Sequence, residues 1–336
     1  MAGKLPPDLL ARYVFSRIGQ PDKRVLVGPA YGEDAAIIDM GDEVLVVHAD
    51  PITGAVKHLG WLAVHVACND IAVRGARPRW LVSVMLLPTT CTNEEICRIT
   101  KELDEAAKEV GAMIVGGHSE YTAGLERPVI VMTAIGVAPK DKYIVTSGAK
   151  PGDVVLMTKT AGVEGTAILA SDFREELLAR GIEMDLIERS EKFLRMISVV
   201  REALALASLG AHSMHDPTEG GLLGGVAEIA YASRVRIDIW EERIPVAEET
   251  RVFCRALGID PLRLISSGAL LATLPKELEN DAVKVLERVG IKASIIGEVR
   301  KGEGVILHKA DGTQEVIGRY VKDELFDLWE KLKGKA

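Results

Sequence analysis

Hydrophobic and polar positions in the first part of the chain predict an α+β unit. Alternating positions predict strands from Ala35 to Asp39 and from Glu43 to Ala49, joined by a turn around Gly41. The same reasoning predicts a short helix around Pro7 to Ile18, followed by a segment at Val25 to Gly28 to which we assign no element type. It also predicts a mostly apolar helix from Trp61 to Arg74 and strands at Trp80 to Leu87, Ala112 to Val115 and Val129 to Val137. Strands that alternate with helices in this order are typical of an α+β domain.

The clearest helix signal lies between Asn93 and Val110. Thr92 precedes this stretch and Glu95 follows three residues later, which is the spacing of a capping box. Gly111 comes directly after the last residue, where glycine commonly ends a helix.

The pattern restarts after the turn Lys150-Pro151-Gly152-Asp153, which we interpret as a domain boundary. We therefore predict an N-terminal domain over residues 1–149 and a C-terminal α/β domain over residues 150–336. The elements predicted beyond the turn are strands Val154 to Thr158, Val235 to Trp240, Ala269 to Leu274 and Ala293 to Val299, and helices Ile187 to Leu209, Gly220 to Ala232, Val246 to Leu257 and Lys276 to Val289.

Composition narrows the class of protein. The 336 residues suffice for two domains, and the net charge of −8 without a Lys/Arg block argues against sequence-independent nucleic-acid binding. No apolar run reaches the length of a membrane span, and Met1 to Arg12 lacks the apolar stretch of a signal peptide, so we expect a cytoplasmic protein without membrane partners. The four cysteines form no Cys-x-x-Cys pair, which favours reduced thiols over a disulfide framework or a zinc site.

Candidate chemistry is concentrated in acids at the ends of predicted elements. Asp34 follows Gly32 in a loop, Asp50 ends an apolar strand, and Asp70 lies inside the apolar helix. A buried carboxylate is costly unless it is paired or bound to a metal. One reading is that Asp70 pairs with Arg74 one turn later or faces solvent. The other is that the three aspartates converge on Mg²⁺, which prefers oxygen ligands.

Glycine-rich loops provide weaker signals. Gly116-Gly117 follows a predicted strand and forms either a tight turn or a place where the backbone approaches a ligand closely. For His118, which comes next, both a structural role and a catalytic role are consistent with the sequence. Thr218 followed by Gly220-Gly221 predicts a capped helix start that could bind an anion. Similar loops occur at Gly162 to Thr166 and at Ile265 to Ala269. The P-loop, dinucleotide fingerprint, nucleophile elbow and zincin motifs are absent from the sequence.

Taken together, these motifs resemble one superfamily. It contains aminoimidazole ribonucleotide synthetase, formylglycinamide ribonucleotide amidotransferase, thiamine-monophosphate kinase, selenophosphate synthetase and the HypE hydrogenase maturation proteins. The matching segments are Gly32-Glu33-Asp34-Ala35-Ala36, His48-Ala49-Asp50, Asn69 to Pro78, Gly116-Gly117-His118-Ser119-Glu120, Asp216-Pro217-Thr218-Glu219-Gly220-Gly221, Glu228-Ile229-Ala230 and Ser266-Ser267-Gly268.

The resemblance implies an N-terminal domain that forms a homodimer through its sheet, making half of an intersubunit β-barrel, and a C-terminal α/β domain that helps close the site. It also implies an enzyme that binds ATP and Mg²⁺ and transfers the γ-phosphate to activate a small substrate such as a carboxamide, carboxylate or phosphate ester. The residues assigned on this basis are Asp34, Asp50 and Asp70 to the metal; Gly32, Asp34, Asn69, Gly116, Gly117, Asp216, Thr218, Gly220 and Gly221 to the nucleotide; and Asp70, His118 and Glu120 to catalysis.

HypE-type proteins are the nearest match by Asp-Pro-Thr-x-Gly-Gly and Glu-Ile-Ala, with departures. The HypE thiol that receives a carbamoyl group is a C-terminal cysteine, whereas this chain ends in Lys333-Gly334-Lys335-Ala336. Glu219 stands where HypE usually has Arg, and His118 where it commonly has Asp. We therefore expect a HypE-like paralogue, and a maturation partner protein is among the partners that the resemblance implies. The alternatives are a kinase similar to thiamine-monophosphate kinase, suggested by Glu33-Asp34, and a nucleotide-binding partner without turnover.

Overall fold

The computed structural model describes residues 3–333, so the cysteine-free end at residues 334–336 lies outside the described residues. The strands are β1 Val25–Val27, β2 Ala36–Asp39, β3 Glu43–Ile52, β4 Arg77–Pro88, β5 Met113–Thr122, β6 Val129–Pro139, β7 Asp153–Thr158, β8 Ser213–His215, β9 Arg236–Trp240, β10 Leu271–Pro275, β11 Ala293–Arg300, β12 Gly304–His308 and β13 Gln314–Ile317.

The helices complete the element order. They are α1 Pro7–Leu9 (continued by a π-helical turn Leu10–Val14), α2 Leu59–Ala72, α3 Asn93–Val110, α4 Val163–Asp172, α5 Arg174–Ala179, α6 Met184–Ser190, α7 Val200–Leu209, α8 Gly221–Ser233, α9 Glu248–Leu257, α10 Glu279–Arg288 and α11 Glu324–Lys333. Short 3₁₀ turns occur at Thr146–Gly148, Glu191–Met196, Glu241–Arg243, Pro261–Arg263 and Lys276–Leu278. No helix within residues 3–333 is long and apolar enough to cross a lipid bilayer.

The first sheet has the strand order β1-β2-β3-β6-β4-β5, and all its pairs are antiparallel except β4 with β5. Helix α2 packs on β3 and β6, and α3 packs on α2. All fourteen positions of α2 are buried, because this helix lies between the sheet and its neighbouring helices. The predicted capping box of α3 is confirmed: Glu95 N–H donates to Thr92 Oγ1 at 3.2 Å, and Thr92 N–H donates to Glu95 Oε2 at 2.8 Å.

The second sheet has the order β13-β12-β9-β11-β7-β10-β8, in which only β12 and β9 are parallel. Helix α8 packs on β8, β9 and β12, and α10 packs on β11. The expected arrangement of an α+β N-terminal part and an α/β C-terminal part is confirmed. Residues near each end of the described chain contact the other part: Lys4 pairs with Glu228, and the Trp329 indole donates to the Gly54 carbonyl at 3.0 Å.

The helix predicted from Ile187 to Leu209 is wrong in its middle. The chain forms α6, a 3₁₀ turn and α7, with a break at residues 197–199. The carbonyls of Met196 and Ser198 accept hydrogen bonds from Lys159 Nζ at 2.8 and 2.7 Å, and that of Ile197 accepts from Asn69 at 2.9 Å. Because these carbonyls accept hydrogen bonds from Lys159 and Asn69, they do not accept the N–H groups of a continuous helix. The helix is therefore interrupted by side chains that are distant in sequence, which the periodicity of this segment could not indicate.

Candidate active site

A cavity of about 1260 Å³ lies where the N-terminal segment, the first sheet, the second domain and α11 meet. It exceeds the ~300–1,000 Å³ typical of small-molecule sites. Asp34, Asp50 and Asp70 all line it, so the structure brings the three predicted aspartates to one cavity. Gly32, Asp216 and Thr218 also line the cavity as expected.

The tightest group of potential metal ligands at this cavity consists of His48, Asp50 and Asp70. One ligand atom from each lies within 4.8 Å of the others. His48 and Asp50 are two residues apart on β3 and so share one face of the strand, while Asp70 projects from the buried helix α2. His48 Nε2 lies 3.2 Å from Asp70 Oδ2. No role was predicted for His48 from the sequence, although its spacing from Asp50 was a usable signal.

Burial outweighs the partial charge compensation that this group receives from the rest of the chain. Burial, followed by the charges of Asp34 and Asp50, raises the pKa of Asp70 well above its ordinary value. Burial also raises the pKa of Asp50 and lowers that of His48, which favours a neutral imidazole. Carboxylates that resist ionisation in the free protein become favourable once a cation enters. The donor set therefore fits a hard divalent cation with two carboxylate ligands, with His48 orienting Asp70.

Asp34 occupies a different environment from the one predicted. Its Oδ2 accepts from Arg74 at 2.6 Å and its Oδ1 lies 2.7 Å from His215 Nδ1. Although burial acts in the opposite direction, His215 and Arg74 lower the pKa of Asp34. The third member of the close ligand group is consequently His48 instead of Asp34, because both Asp34 oxygens already face cationic side chains.

These contacts belong to a chain of alternating charges along the cavity wall. Glu228 Oε2 lies 2.8 Å from His215 Nε2, and Glu228 Oε1 accepts from Lys4 Nζ at 2.7 Å. Burial opposes both shifts, yet the carboxylates of Asp34 and Glu228 raise the pKa of His215 to about 10, and Lys4 with His215 lowers that of Glu228 to about 2. This wall is therefore internally neutralised.

The alternative in which Asp70 pairs with Arg74 is not what the structure shows. Arg74 is fully buried and donates to Glu33, Asp34, Thr146 and the carbonyl of Met214. Asp70 is 5% exposed, so it does not face bulk solvent either. Arg74 thus joins the two domains, and Asp70 stays available to the cavity.

Asn69 supports the cavity from behind without lining it. Its amide donates to Asp216 Oδ2 at 3.0 Å and to Ile197 O, and its Oδ1 accepts from Val199 N–H at 2.8 Å. The Gly268 N–H donates to Asp216 Oδ1 at 3.3 Å. Despite these bonds, burial raises the pKa of Asp216 to about 7. Asn69 therefore positions Asp216 in this structure.

The predicted anion site at the start of α8 is filled by the chain itself. Gly220 is the N-cap with φ 83°, and its N–H donates to Asp323 Oδ2 at 2.7 Å. Gly220 and Gly221 do not line the cavity. Thr218 is not the cap that the sequence predicted, since it lies two residues before the N-cap. Its carbonyl instead accepts from Gly221 N–H at 3.0 Å.

Gly116, Gly117, His118 and Glu120 do not reach the cavity within one chain. Strand β5 continues through them to Thr122 instead of ending at Val115, because they pair with β4. A Cβ on Gly117 would lie 1.9 Å from the Ser83 carbonyl oxygen, so this glycine permits close strand approach. His118 Nε2 lies 3.2 Å from Glu120 Oε2 on the exposed edge of the sheet.

Comparison with known proteins agrees with this architecture. Residues 32–138 match the AIR synthase related protein N-terminal domain, and residues 150–309 match its C-terminal domain. A putative hydrogenase expression/formation protein of Methanocaldococcus jannaschii is 28% identical over 96% of this chain and 94% of its own length. The carbamoyl dehydratase HypE of Cupriavidus necator is 34% identical over 72% of this chain and 67% of its own length.

Solved structures show the same similarity. HypE in complex with ATP has a TM-score of 0.72 and 25% identity, covering 95% of each chain. HypE in a HypE–HypF complex has a TM-score of 0.71 and 28% identity, covering 86% of this chain and 93% of that one. The chain therefore belongs to the AIR synthase-related superfamily, within which it is similar to the HypE hydrogenase maturation proteins.

Proposed function

We propose that this protein binds Mg²⁺ and ATP in the cavity and activates a small acceptor by phosphoryl transfer. The observation that carries the proposal is the uncompensated pair Asp50 and Asp70, whose carboxylates lie within 4.8 Å of each other and of His48. A cavity with so many acids repels a bare triphosphate, and a divalent ion held by these carboxylates removes that repulsion. ATP bound to a similar HypE supports the same ligand here.

When bound, Mg²⁺-ATP would supply a γ-phosphoryl group that joins an acceptor oxygen as the bond to the β-phosphate oxygen breaks, which releases ADP. The protein contributes positioning and charge. Asp50 and Asp70 hold the metal, and His48 fixes the orientation of Asp70. Asp34 and Arg74 keep the wall beside them rigid. Gly32, Thr218 and Asp216 line the volume available to the nucleotide and acceptor, with Asn69 supporting Asp216.

We also propose a homodimer through the first sheet. Its edge strand β5 exposes Met113, Val115 and Tyr121 by 68%, 50% and 56%. An exposed apolar edge is a natural site for pairing with another sheet. Pairing there would give Gly116, Gly117, His118 and Glu120 the environment near a nucleotide that the resemblance implies. We expect Met113→Asp to yield monomers in sedimentation velocity, with Met40→Asp, also 60% exposed, as the control. An unchanged sedimentation coefficient for both would contradict this dimer.

Two other readings keep some support. A kinase similar to thiamine-monophosphate kinase would use Glu33-Asp34 in its active site. Glu33, however, accepts hydrogen bonds from Arg74 and from the N–H groups of Thr146 and Ser147, so its carboxylate is engaged in holding these segments together. A nucleotide-binding partner without turnover is favoured by Glu219 in the place usual for Arg. A HypE–HypF complex supports a maturation partner for this protein, and a cytoplasmic location fits such a role.

Turnover measurements test the proposal. Purified protein is incubated with ATP and either Mg²⁺ or a chelator, together with carboxamide, phosphate-ester or thiol acceptors, and ADP, free phosphate and phosphorylated product are quantified. We expect Mg²⁺-dependent ADP formation. ADP with free phosphate indicates a dehydrating ligase, and ADP with a phosphorylated product indicates a kinase. Binding of ATP without any ADP would support the partner protein and contradict catalysis.

A further inference from the structure

Two buried oxygen atoms in the cavity wall, Glu164 Oε2 and Ser267 Oγ, have no hydrogen-bond partner in the described part of the chain beyond the contact of the Ser267 hydroxyl with the Glu164 carboxyl. Glu164 is 3% exposed and Ser267 is 0% exposed. A buried polar atom whose hydrogen-bonding capacity is not satisfied destabilises the folded protein. Because these two atoms belong to residues that line a cavity, a ligand group is the partner that the arrangement calls for.

The two residues are held in place by their surroundings. Glu164 is the second residue of α4, and the N–H of the preceding Gly162 donates to Ser266 Oγ at 2.8 Å. The Gly165 N–H donates to the Ile265 carbonyl at 3.0 Å. A Cβ on Gly165 would lie 2.3 Å from Leu264 Cγ, so the start of α4 and the strand-like loop before β10 are in direct contact. Glu164 and Ser267 therefore form a preorganised pair.

The titratable groups around this pair are acids. Burial raises the pKa of Glu164 to about 8; the hydroxyl of Ser267 acts in the opposite direction, and the nearby carboxyl groups of Asp216, Asp50 and Asp323 add to the increase. Such surroundings repel carboxylate and phosphate groups and attract a cation. A second metal ion is less well matched, because the close group of metal-type ligands in residues 3–333 comprises His48, Asp50 and Asp70 and does not include Glu164.

We propose that Glu164 and Ser267 form the acceptor subsite of this cavity and recognise a positively charged nitrogen group, an ammonium or amidinium, on the acceptor. This inference rests on the proposed function for its second substrate, although the subsite itself is defined without nucleotide. The nitrogen group donates hydrogen bonds to Glu164 Oε2 and Ser267 Oγ, and its charge compensates the surrounding carboxylates. Glu164 and Ser267 thus determine specificity, and anionic acceptors are excluded.

Three probes with the same heavy-atom skeleton test the charge preference: acetamidinium, acetamide and acetate. Their dissociation constants are measured by ligand-observed NMR titration of the full chain, first alone and then with Mg²⁺ and a non-hydrolysable ATP analogue. We expect acetamidinium to bind about tenfold more tightly than acetamide, a difference of about 1.4 kcal/mol, because hydrogen bonds between charged groups are stronger than those between neutral groups. We expect acetate not to bind. Glu164→Gln removes the preference, and Ser267→Ala reduces it.

The matched control is Glu219→Gln, which neutralises another carboxylate that lines the cavity and leaves the preference intact. Equal binding of acetamide or acetate, or a preference that survives Glu164→Gln, overturns the inference. A lower Mn²⁺ stoichiometry in Glu164→Gln also overturns it, because Glu164 is then a metal ligand. Failure of the wild-type chain to bind the ATP analogue would instead refute the proposed function, while the nucleotide-free titration still decides the subsite.

Discussion

Asp70→Asn should change stability and ligand affinity in opposite directions. The substitution keeps the shape of the side chain and removes its charge from helix α2. In the metal-free protein that charge is unfavourable, as the raised pKa of Asp70 indicates, with burial as its main cause. In the metal-bound protein the same charge is a ligand. A purely structural aspartate would show no such reversal.

The magnitude follows from the geometry. Oxygen atoms of Asp50 and Asp70 lie no more than 4.8 Å apart, and at an effective dielectric constant of about 20 two unit charges at that distance repel by about 3.5 kcal/mol. Partial protonation of Asp70 relieves some of this repulsion in the wild type, so we expect Asp70→Asn to stabilise the metal-free protein by about 1–3 kcal/mol. Loss of an outer-shell partner alone weakens metal binding by about 10–100-fold, and loss of a ligand should cost at least as much.

The effect on stability should depend on pH with a defined sign. The pKa of Asp70 is higher in the folded state than its model value of 3.8, so its contribution to stability is fully present below that value and is lost as pH rises through the folded pKa. Wild type and Asp70→Asn should therefore have similar stability near pH 4 and diverge toward pH 8. Saturating Mg²⁺-ATP should reverse the difference.

The assay combines urea unfolding of metal-free protein at both pH values with calorimetric titration of Mg²⁺-ATP at pH 8. Asp42→Asn is the control, because Asp42 is an exposed acid in the turn between β2 and β3. This control should change neither quantity. If Asp70→Asn destabilises the metal-free protein while Mg²⁺-ATP affinity stays the same, Asp70 is structural and the metal assignment fails.

Three further variants test the supporting framework. His215→Gln leaves Asp34 and Glu228 facing each other, so we expect the free energy of unfolding, measured with urea at pH 7, to fall by about 3–5 kcal/mol. The raised pKa of His215 stabilises the folded protein below its ordinary value of 6.5, and this stabilisation is lost as pH rises to about 10. The difference in unfolding free energy between wild type and His215→Gln should therefore shrink toward pH 10. Lys159→Met leaves Glu202 buried and unpaired and should cost a similar amount, which Glu202→Gln in the same chain should partly restore. Thr92→Ala should lower the melting temperature through loss of about 1 kcal/mol of capping while Mg²⁺-ATP affinity stays unchanged, and Thr100→Ala on the exposed face of α3 serves as its control.

Sequence reasoning succeeded where structure is decided locally. The bounds of α3 follow from Thr92, Glu95 and Gly111, all of which act within a few residues. It failed where distant partners decide. Strand β5 extends past Val115 because β4 lies beside it, and the break between α6 and α7 depends on Lys159 and Asn69. Periodicity within one segment carries no information about such partners.

The candidate site shows the same division. The sequence indicated that Asp34, Asp50 and Asp70 would meet, and all three line the cavity. It could not indicate which of them the chain neutralises, because Arg74 and His215 lie 40 and 181 residues from Asp34 in sequence. It also gave no reason to single out Glu164, whose importance depends on an oxygen atom that only the folded structure leaves without a partner.

The cavity consequently has two electrostatic halves with different origins. In one, Lys4, His215 and Arg74 lie beside Glu228 and Asp34 and keep the pKa values of both acids low, so this half is stable without ligands. In the other, Asp50, Asp70, Asp216 and Glu164 all have raised pKa values, with burial as the main cause of each. Burying these acids without cationic partners is unfavourable, so the protein folds only because its other contacts outweigh that free-energy cost. Cations that bind from solution offset the same cost. The half that the chain leaves uncompensated is therefore the half where a metal ion and a cationic acceptor gain most from entering.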